Sequence, residues 1–299
     1  MTSGTAFQIK VAVPSRSQIG EGAVWDERDN RLWWVDIPAG LIHVYDPASG
    51  LNTSYEFGEM VGSISLREAG GLVVAARSGF WFYDPETGER RHIQDPEPDS
   101  PDNRFNDGAT DCQGRFWAGT MRHDPPAAPT GCWYRLDTDL TVTPWLADKF
   151  TPNGMVFSAD GQTMYHSDSN PAVRTIWTSD YDVDTGTPGT PKLFFDTNAV
   201  AGRPDGATID SEGCYWFAGV SGWQIYRVTP QGVVDRVIDM PVERPSKPMF
   251  GGPDLDVLYV TSIGIGLTPG TEARQPEAGS LFALHGLGVT GITQPRFAG

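Results

Sequence analysis

Short apolar segments, rich in aromatic and β-branched residues, recur along the chain and are separated by turns that carry Gly, Asp, Asn or Pro. Six units follow one another, each with two such segments joined by a short loop. The paired segments are 31–36 and 41–46, 72–76 and 80–84, 115–119 and 132–137, 163–168 and 176–180, 214–219 and 224–228, and 257–260 and 279–284. Segments this short favour strands over helices, and 35 Gly and 24 Pro residues leave few windows in which a helix could persist.

The spacing of the units predicts a closed ring of sheets. Equivalent turns are roughly 40 to 50 residues apart, which is typical of a β-propeller with one four-stranded sheet in each unit. Six units fit the 299 residues, so we expect an all-β, six-bladed β-propeller in which residues 1–299 form a single domain. An open ring would expose two sheet edges. Residues 7–13 alternate apolar and polar positions, so we expect this strand to complete the sheet of the last unit.

Charge and cysteine content narrow the possible partners. With 38 acidic and 22 basic residues the net charge is −16, which argues against nucleic acids and anionic membranes because both require a basic surface. Cys112, Cys132 and Cys214 lack Cys-x-x-Cys spacing and suit free thiols in a reducing compartment. Residues 1–10 show no signal-peptide pattern and no apolar stretch has the length of a membrane helix, so we expect a cytoplasmic protein. Nothing in the sequence sets its oligomeric state.

Four of the units carry a polar residue in one shared register, five positions before the first residue of a turn between two strands. These residues are Glu21, Asn106, Asn153 and Asp205, and the other two units have Val61 and Ser246 there. In a propeller the strand that follows this position runs nearest the axis, so the six side chains should face one another at one mouth of the central channel. The alternative is that Asn, Asp and Glu are merely common where strands begin.

The side chains in this register supply an all-oxygen set of metal ligands. The carboxylates of Glu21 and Asp205 and the amide oxygen of Asn153, with Asn106 as a further candidate, suit hard cations such as Ca²⁺, Mg²⁺ or Mn²⁺. So few protein ligands leave positions for water and substrate, as a catalytic ion that polarises a carbonyl requires. Asp205 can also act as general base if one of its oxygens stays free. No Gly-x-Ser-x-Gly, Walker or His-Glu-x-x-His motif competes with this interpretation.

Arg104 is a candidate for substrate binding. It stands two residues before Asn106, so its guanidinium can reach over the mouth and donate a fork of hydrogen bonds to substrate oxygens. The alternative is an ordinary loop arginine that pairs with one of the many surface acids.

Glycines accompany the shared register in five units: Gly22, Gly62, Gly154 and Gly206 directly after it, and Gly108 one residue later. Two explanations stay open at this point. Either the backbones pack too closely beside the axis for a Cβ atom, or these positions require a positive φ.

Several strings resemble the senescence-marker-protein/gluconolactonase/luciferin-regenerating family of regucalcin-like sugar lactonases. They occur in order from about residue 20 to the C-terminus: GEGAVW (20–25), NRFNDG (103–108), FWAGTM (116–121), PNG (152–154), PDG (204–206), RQPEAG (274–279) and GLGVTG (286–291). The resemblance implies a six-bladed propeller, in agreement with the count of units.

The resemblance also implies an activity, the hydrolysis of a sugar lactone to the open aldonic acid. The family's metal ligands would fall on Glu21, Asn153 and Asp205, with Asp205 also as the base, and its sugar-contacting residues on Arg104 and Asn106. The ion would be Ca²⁺ first, with Zn²⁺, Mn²⁺, Mg²⁺ or Fe²⁺ as alternatives. The partner would be a small-molecule sugar lactone.

One segment departs from the family pattern. Where animal members carry a substrate-contacting Glu, this chain has Arg122-His123-Asp124, so Asp124 is the nearest equivalent, and a Pro-rich stretch follows at 125–129. The sugar preference should therefore differ while the metal ligands remain. Two other functions stay open: a phosphotriesterase that uses the same ligands, and a calcium-binding propeller without catalysis.

Overall fold

The structure, a computed structural model, describes residues 7–299, and almost all of its regular elements are strands. The first three sheets each contain four consecutive antiparallel strands: β2 (Gly20–Asp26), β3 (Arg31–Asp36), β4 (Leu41–Asp46) and β5 (Leu51–Glu56) in blade 1; β6 (Val61–Leu66), β7 (Leu72–Ala76), β8 (Gly79–Tyr83) and β9 (Arg90–Gln94) in blade 2; β10 (Asn103–Thr110), β11 (Phe116–Arg122), β12 (Gly131–Leu136) and β13 (Val142–Lys149) in blade 3.

The second half of the chain forms three more sheets. Their strands are β14 (Pro152–Phe157), β15 (Thr163–Asp168), β16 (Thr175–Asp182), β17 (Thr187–Pro188) and β18 (Lys192–Asp196) in blade 4; β19 (Arg203–Ile209), β20 (Tyr215–Val220), β21 (Gln224–Val228) and β22 (Val234–Asp239) in blade 5; β23 (Pro245–Gly251), β24 (Val257–Ser262), β25 (Leu281–His285) and β1 (Gln8–Val13) in blade 6. Single 3-10 turns span Thr197–Ala199 and Glu272–Arg274.

The six sheets close into a ring around a central axis. The first strands of neighbouring blades contact one another in the cyclic order β2, β6, β10, β14, β19, β23 and back to β2. The predicted six-bladed β-propeller is therefore confirmed. Because every inner strand runs in the same direction, all of them begin at one end of the channel, which we call the upper mouth.

The predicted closure of the ring is also confirmed. β1 pairs antiparallel with β25, with Gln8 opposite His285 and Lys10 opposite Ala283. This pairing gives the last sheet its fourth, outermost strand from the N-terminal part of the chain, so one blade joins strands from both ends of the sequence.

Blade 4 departs from four strands because its outer edge is divided. β16 pairs with the two-residue strand β17 at one end and with β18 at the other. Pro188 ends the first pairing, opposite Tyr181, and Pro191 directly precedes the second, and proline cannot donate to a strand ladder. The outer strand is therefore interrupted where the prolines occur.

The apolar core lies between adjacent blades. Between blades 6 and 1, Trp25 stacks on Tyr259 with ring centroids 5.7 Å apart, and Trp34 is buried beside them. Each such aromatic side chain contributes about 1.5 to 3 kcal/mol when it is fully buried. Packing between blades therefore fixes the positions of the inner strands.

The three cysteines are free thiols, as expected: Cys112 is exposed, and Cys132 and Cys214 are buried. Within residues 7–299, no helix is long and apolar enough to cross a membrane.

Candidate metal and active site

Every inner strand is interrupted at the shared register. The antiparallel ladder with the second strand shifts there in all six blades, between Glu21 and Val24 in β2 and between Asn153 and Val156 in β14. Such bulges re-aim a side chain out of the pleat. The start of the strand is also clamped in two blades: Asp36 accepts from the two amides that precede residue 20, and Asp168 from the two that precede Pro152.

Asn153 is held with its carbonyl oxygen free. Its Nδ2 donates to Ser169 Oγ at 2.7 Å, and Ser169 Oγ in turn donates to the Pro204 carbonyl next to Asp205. These bonds fix the amide, and its Oδ1 is buried without a hydrogen-bond partner. A buried acceptor without a partner is costly, so this oxygen is suited to a ligand such as a cation.

Glu21 and Asp205 are buried, and their carboxyl groups lie within hydrogen-bonding reach of each other. Burial, and secondarily the nearby Asp205, raises the pKa of Glu21 well above its usual range. Burial, and secondarily Asp107, raises the pKa of Asp205 to about 7. The Gly22 amide donates to Glu21 Oε2 at 3.0 Å and orients that carboxyl. Two buried carboxyls this close hold a proton between them or a cation.

Glu21 and Asp205 offer few charged ligands for a metal ion. Between residues 7 and 299, no three His, Cys, Asp or Glu side chains are grouped so as to hold a metal ion. The candidate therefore consists of two carboxylates and the unpaired amide oxygen of Asn153. The remaining members of the register do not add ligands, because Val61 is apolar and Ser246 Oγ donates to the Gly20 carbonyl at 2.5 Å.

Arg104 and Asn106 form a buried pair at the same mouth. Arg104 Nη1 donates to the Asn106 Oδ1 and to the Phe105 carbonyl, both at 2.8 Å, while Asn106 Nδ2 donates to the Pro152 carbonyl at 3.0 Å. The oxygen of Asn106 is thus occupied within the protein. Burial lowers the pKa of Arg104 to about 10, and its Nε has no partner. The guanidinium therefore keeps a buried donor free for another molecule.

Asp124 lies apart from this group. Its side chain is 69% exposed on the loop after β11, and its Oδ1 is 3.9 Å from His123 Nε2. His123 is close enough to both Arg104 and Asp124 for their charges to act on it. Asp124 is thus separated from Arg104 by one histidine, at the rim of the site.

Sequence reasoning missed an ion pair that crosses the channel. Lys247 Nζ lies 2.8 Å from Asp107 Oδ1, and both side chains are almost fully buried. Lys247 is on β23 and Asp107 on β10, which are opposite each other in the ring of six inner strands. Asp107 Oδ2 also accepts from the Met155 amide at 3.3 Å. The pair closes the channel behind Glu21 and Asp205, on which the charge of Asp107 acts.

Two further arginines were also missed. Arg203 and Arg244 stand two residues before Asp205 and Ser246, the position that Arg104 occupies before Asn106. Both act electrostatically on Asp205. Arg104 was singled out by its place two residues before Asn106, and the same comparison in the other blades would have found them.

The glycines serve both suggested purposes. Gly22 and Gly154 have φ of 60° and 62°, so they need the left-handed region. Gly62 has an ordinary φ, but a Cβ atom there would overlap the carbonyl of Phe105 in the next blade. Gly22 and Gly154 therefore allow a left-handed backbone at the bulge, and Gly62 allows close packing at the axis.

Two cavities lie away from the candidate residues. One has a volume of about 660 Å³ and lies between blades 1 and 2, bordered by Trp33, Arg67 and Tyr83. A cavity of about 80 Å³ occupies the lower channel beneath Lys247 and is closed by residues 292–295. None of the candidate residues at the upper mouth borders either cavity.

Comparison with known sequences identifies the relatives of this chain. A sequence profile for the SMP-30/Gluconolactonase/LRE-like region matches residues 19–264. A 6-deoxy-6-sulfogluconolactonase from Pseudomonas putida is 37% identical over 294 residues, which cover 97% of this chain and 99% of the relative. Regucalcin from Xenopus laevis is 32% identical over 300 residues, with 99% and 100% covered.

Solved structures that resemble this chain include a luciferin-regenerating enzyme and a regucalcin. A luciferin-regenerating enzyme superposes with a TM-score of 0.90 at 29% identity and covers 98% of this chain and 100% of its own. A regucalcin from Agrobacterium tumefaciens, described as a calcium-binding protein, has a TM-score of 0.91 at 29% identity, with 97% of each chain covered.

Proposed function

This chain belongs to the SMP-30/Gluconolactonase/LRE-like family, and from that premise we propose that it is a metal-dependent lactonase that opens a sugar lactone to the aldonic acid. Glu21, Asn153 and Asp205 would hold one divalent ion. The Pseudomonas relative is named for a gluconolactone, which supports the lactone as the substrate class.

The observation that carries the metal assignment is the unpaired, buried Oδ1 of Asn153, in the same register as the two buried carboxyl groups of Glu21 and Asp205. Oxygen ligands of this kind suit Ca²⁺ first, and a regucalcin of similar structure is described as calcium-binding. Zn²⁺, Mn²⁺, Mg²⁺ and Fe²⁺ remain alternatives. When bound, such an ion supplies Lewis-acid polarisation of a carbonyl and lowers the pKa of water.

Asp205 would serve as the general base. Burial raises the pKa of Asp205 to about 7 in the absence of a bound ion. The same burial keeps its carboxylate away from bulk water. A carboxylate oxygen at this depth can accept the proton of the attacking water and return it to the ring oxygen as the lactone opens.

Arg104, Asn106 and Asp124 would bind the sugar. The free Nε of Arg104 is a buried donor for a substrate oxygen, and the bond from its Nη1 to Asn106 holds the guanidinium in place. Asp124, at the rim, would accept from a sugar hydroxyl after the loop at 123–130 adjusts. A polar mouth of this kind favours a polyhydroxylated lactone over an apolar phosphotriester.

We also propose a cytoplasmic enzyme of one propeller domain that binds neither nucleic acid nor membrane. A small-molecule substrate and a net charge of −16 support this, because both excluded partners require a basic surface.

A lactone panel tests the proposal. Four- to six-carbon aldonolactones, a sulfonated gluconolactone and an organophosphate would be assayed with Ca²⁺, Mg²⁺, Mn²⁺ or Zn²⁺ and after chelation. We expect lactone hydrolysis that chelation abolishes and metal restores, and its loss in Glu21→Gln.

Three results would contradict the proposal. Hydrolysis that survives complete chelation would remove the metal from the reaction. Turnover of the organophosphate alone would favour a phosphotriesterase. Metal binding without turnover on any member of the panel would favour a calcium-binding propeller.

A further inference from the structure

Arginines recur one step above the candidate site. In blades 3, 5 and 6 the residue two positions before the shared register is Arg104, Arg203 or Arg244. Because the inner strands run in one direction, this second register lies nearer the upper mouth than Glu21 and Asp205 do. Arg203 and Arg244 are on adjacent blades and close enough for their charges to act on each other.

No hydrogen bond or ion pair links the guanidinium of Arg203 to another of the described residues, and its Nε is buried. Arg244 is partly engaged, since its Nη1 donates to the carbonyls of Ile265 at 2.7 Å and Gly266 at 2.9 Å, but its Nε is buried without a partner too. Two adjacent guanidiniums therefore keep buried donors unused.

Arg174 from blade 4 shapes the surroundings of this pair. Its Nη2 donates to the carbonyls of Thr197 and Val200, at 2.8 and 3.2 Å, and to that of Gly202. It thereby anchors the loop that leads into Arg203 and adds a third positive charge. We regard Arg174 as a positioning residue.

The missing counter-charge is unexpected in this chain. Acidic residues outnumber basic ones by 38 to 22, yet Arg174, Arg203 and Arg244 form no ion pair with any carboxylate between residues 7 and 299. The nearby negative charge that acts on Arg203 is that of Asp205. Glu243 is close enough to Arg244 for their charges to interact, without forming an ion pair. A divalent ion on Asp205 would neutralise the carboxylate near Arg203 and leave that arginine without a counter-charge.

We propose that Arg203 and Arg244 bind an anionic group, a sulfonate, phosphate or carboxylate, carried by the lactone at the end away from its carbonyl. This rests on the proposed function, because it takes the lactone ring to lie over Glu21, Asn153 and Asp205. Arginine presents a planar fork of donors that matches an oxyanion, and such charge-assisted bonds are stronger than neutral ones. A neutral sugar would offer neither guanidinium an anionic partner.

The experiment compares lactones that differ in one group. Gluconolactone and its analogues with a sulfonate, phosphate or carboxylate at C6 are assayed with wild-type protein, Arg203→Gln and Arg244→Gln at saturating metal. We expect wild type to prefer at least one charged lactone by kcat/KM. Each variant should lower the ratio of charged to neutral kcat/KM by about tenfold or more, as expected from lost charge-assisted bonds. The order of the three charged groups identifies which anion the site takes.

Arg31→Gln is the matched control, since it removes one positive charge from an exposed position without an ion pair at the opposite end of blade 1. It should leave the ratio within about twofold of wild type, because the charge is far from the mouth. A ratio that falls equally in the control would mean that net charge, and not the two arginines, attracts the substrate. A ratio unchanged in both variants would overturn the proposal.

Binding of the reaction products separates this proposal from the lactonase assignment. Calorimetry with the metal-loaded protein would compare gluconate with the charged aldonates in wild type and both variants. If no lactone is hydrolysed, the proposed function fails, yet tighter binding of a charged aldonate that is lost in Arg203→Gln still supports the anion site. Equal binding of charged and neutral aldonates to wild type would contradict it.

Discussion

Asn153 shows how local hydrogen bonds prepare a ligand. Its amide nitrogen is committed to Ser169, whose hydroxyl is committed to the Pro204 carbonyl, so the amide cannot flip without breaking two bonds. Its oxygen stays buried without a partner, and the carboxyl groups of Glu21 and Asp205 are buried in the same register. The hydrogen bonds of the protein thus leave this oxygen available to a ligand.

At this scale the sequence predicted Glu21, Asn106, Asn153 and Asp205 from the shared register, Arg104 from its place before Asn106, and Asp124 from the family resemblance. It could not predict which oxygens stay free. Asn106 and Asn153 are equivalent in the repeat, yet Asn106 accepts from Arg104 and Asn153 accepts from no other group. The difference depends on Arg104 and Ser169, which come from different parts of the repeat, and it became visible only when the hydrogen bonds were known.

Replacing Asp205 with Asn tests the general base. Asn keeps the shape and one ligand oxygen but removes the charge and the proton acceptor. We expect kcat to fall by more than about 100-fold at saturating metal, which is the low end of general-base effects. Asp254→Asn, at an exposed aspartate, is the control and should retain activity. If added metal restores the full activity of Asp205→Asn, Asp205 is a ligand only.

Metal binding should depend on pH. The pKa of Asp205 is raised from 3.8 to about 7 in the folded protein, and the pKa of Glu21 is raised too. Between about pH 4 and 7 the metal-free native state therefore holds a proton that the unfolded state has released. Its free energy of unfolding should fall as pH rises through this window, while metal affinity should rise because fewer protons must be displaced.

Denaturant unfolding of the metal-free protein and metal titrations at several pH values would measure both trends. Asp205→Asn should flatten them. A metal affinity that does not change from pH 5 to pH 7 would contradict the raised pKa values.

The strands show how far sequence patterns reach at the scale of elements. The second and third strands of each blade were predicted closely, and β3, β4, β7, β15 and β21 match to the residue. The outer strands of blades 1 to 5 were not identified, whereas that of blade 6, β1, was. β5 and β9 lie at the exposed edge, and stretches such as Arg90–Gln94 have too few apolar residues to show a pattern.

Gly154 tests whether the bulge positions the ligand. Gly154→Ala would strain a φ of 62° and place a Cβ atom against the Tyr215 hydroxyl and 2.9 Å from Ser167 Oγ. The backbone next to Asn153 must then shift. We expect about 1 to 3 kcal/mol less stability and about tenfold weaker metal binding.

Gly50→Ala is the matched control for this change. Gly50 also has a positive φ, 73°, but no atom lies within 4 Å of a Cβ atom there. It should lose about 1 kcal/mol from backbone strain and no metal affinity. Chemical unfolding and metal titration of both variants would compare them. Equal losses of metal affinity would show that contact with Tyr215 is irrelevant.

At the scale of the whole molecule, repeat counting predicted the ring and its closure by β1 with β25. It could not predict contacts across the axis, because these join residues that share no pattern. Lys247 and Asp107 are 140 positions apart in the sequence and meet only because blades 6 and 3 face each other. Long-range pairs of this kind follow from closure and are found only in the folded molecule.

Lys247→Met tests whether this ion pair supports the ring and the site. The change removes the counter-charge of Asp107, which is buried, and breaking a buried pair from one side costs about 3 to 5 kcal/mol. Lys247→Met combined with Asp107→Asn should recover a substantial part of that loss, since no unpaired charge remains and Asn can still accept from the Met155 amide. Denaturant unfolding of wild type, both single variants and the double variant would give the coupling energy. Losses that simply add would show that the two side chains are neighbours without an energetic link, and the channel would then be closed by packing alone.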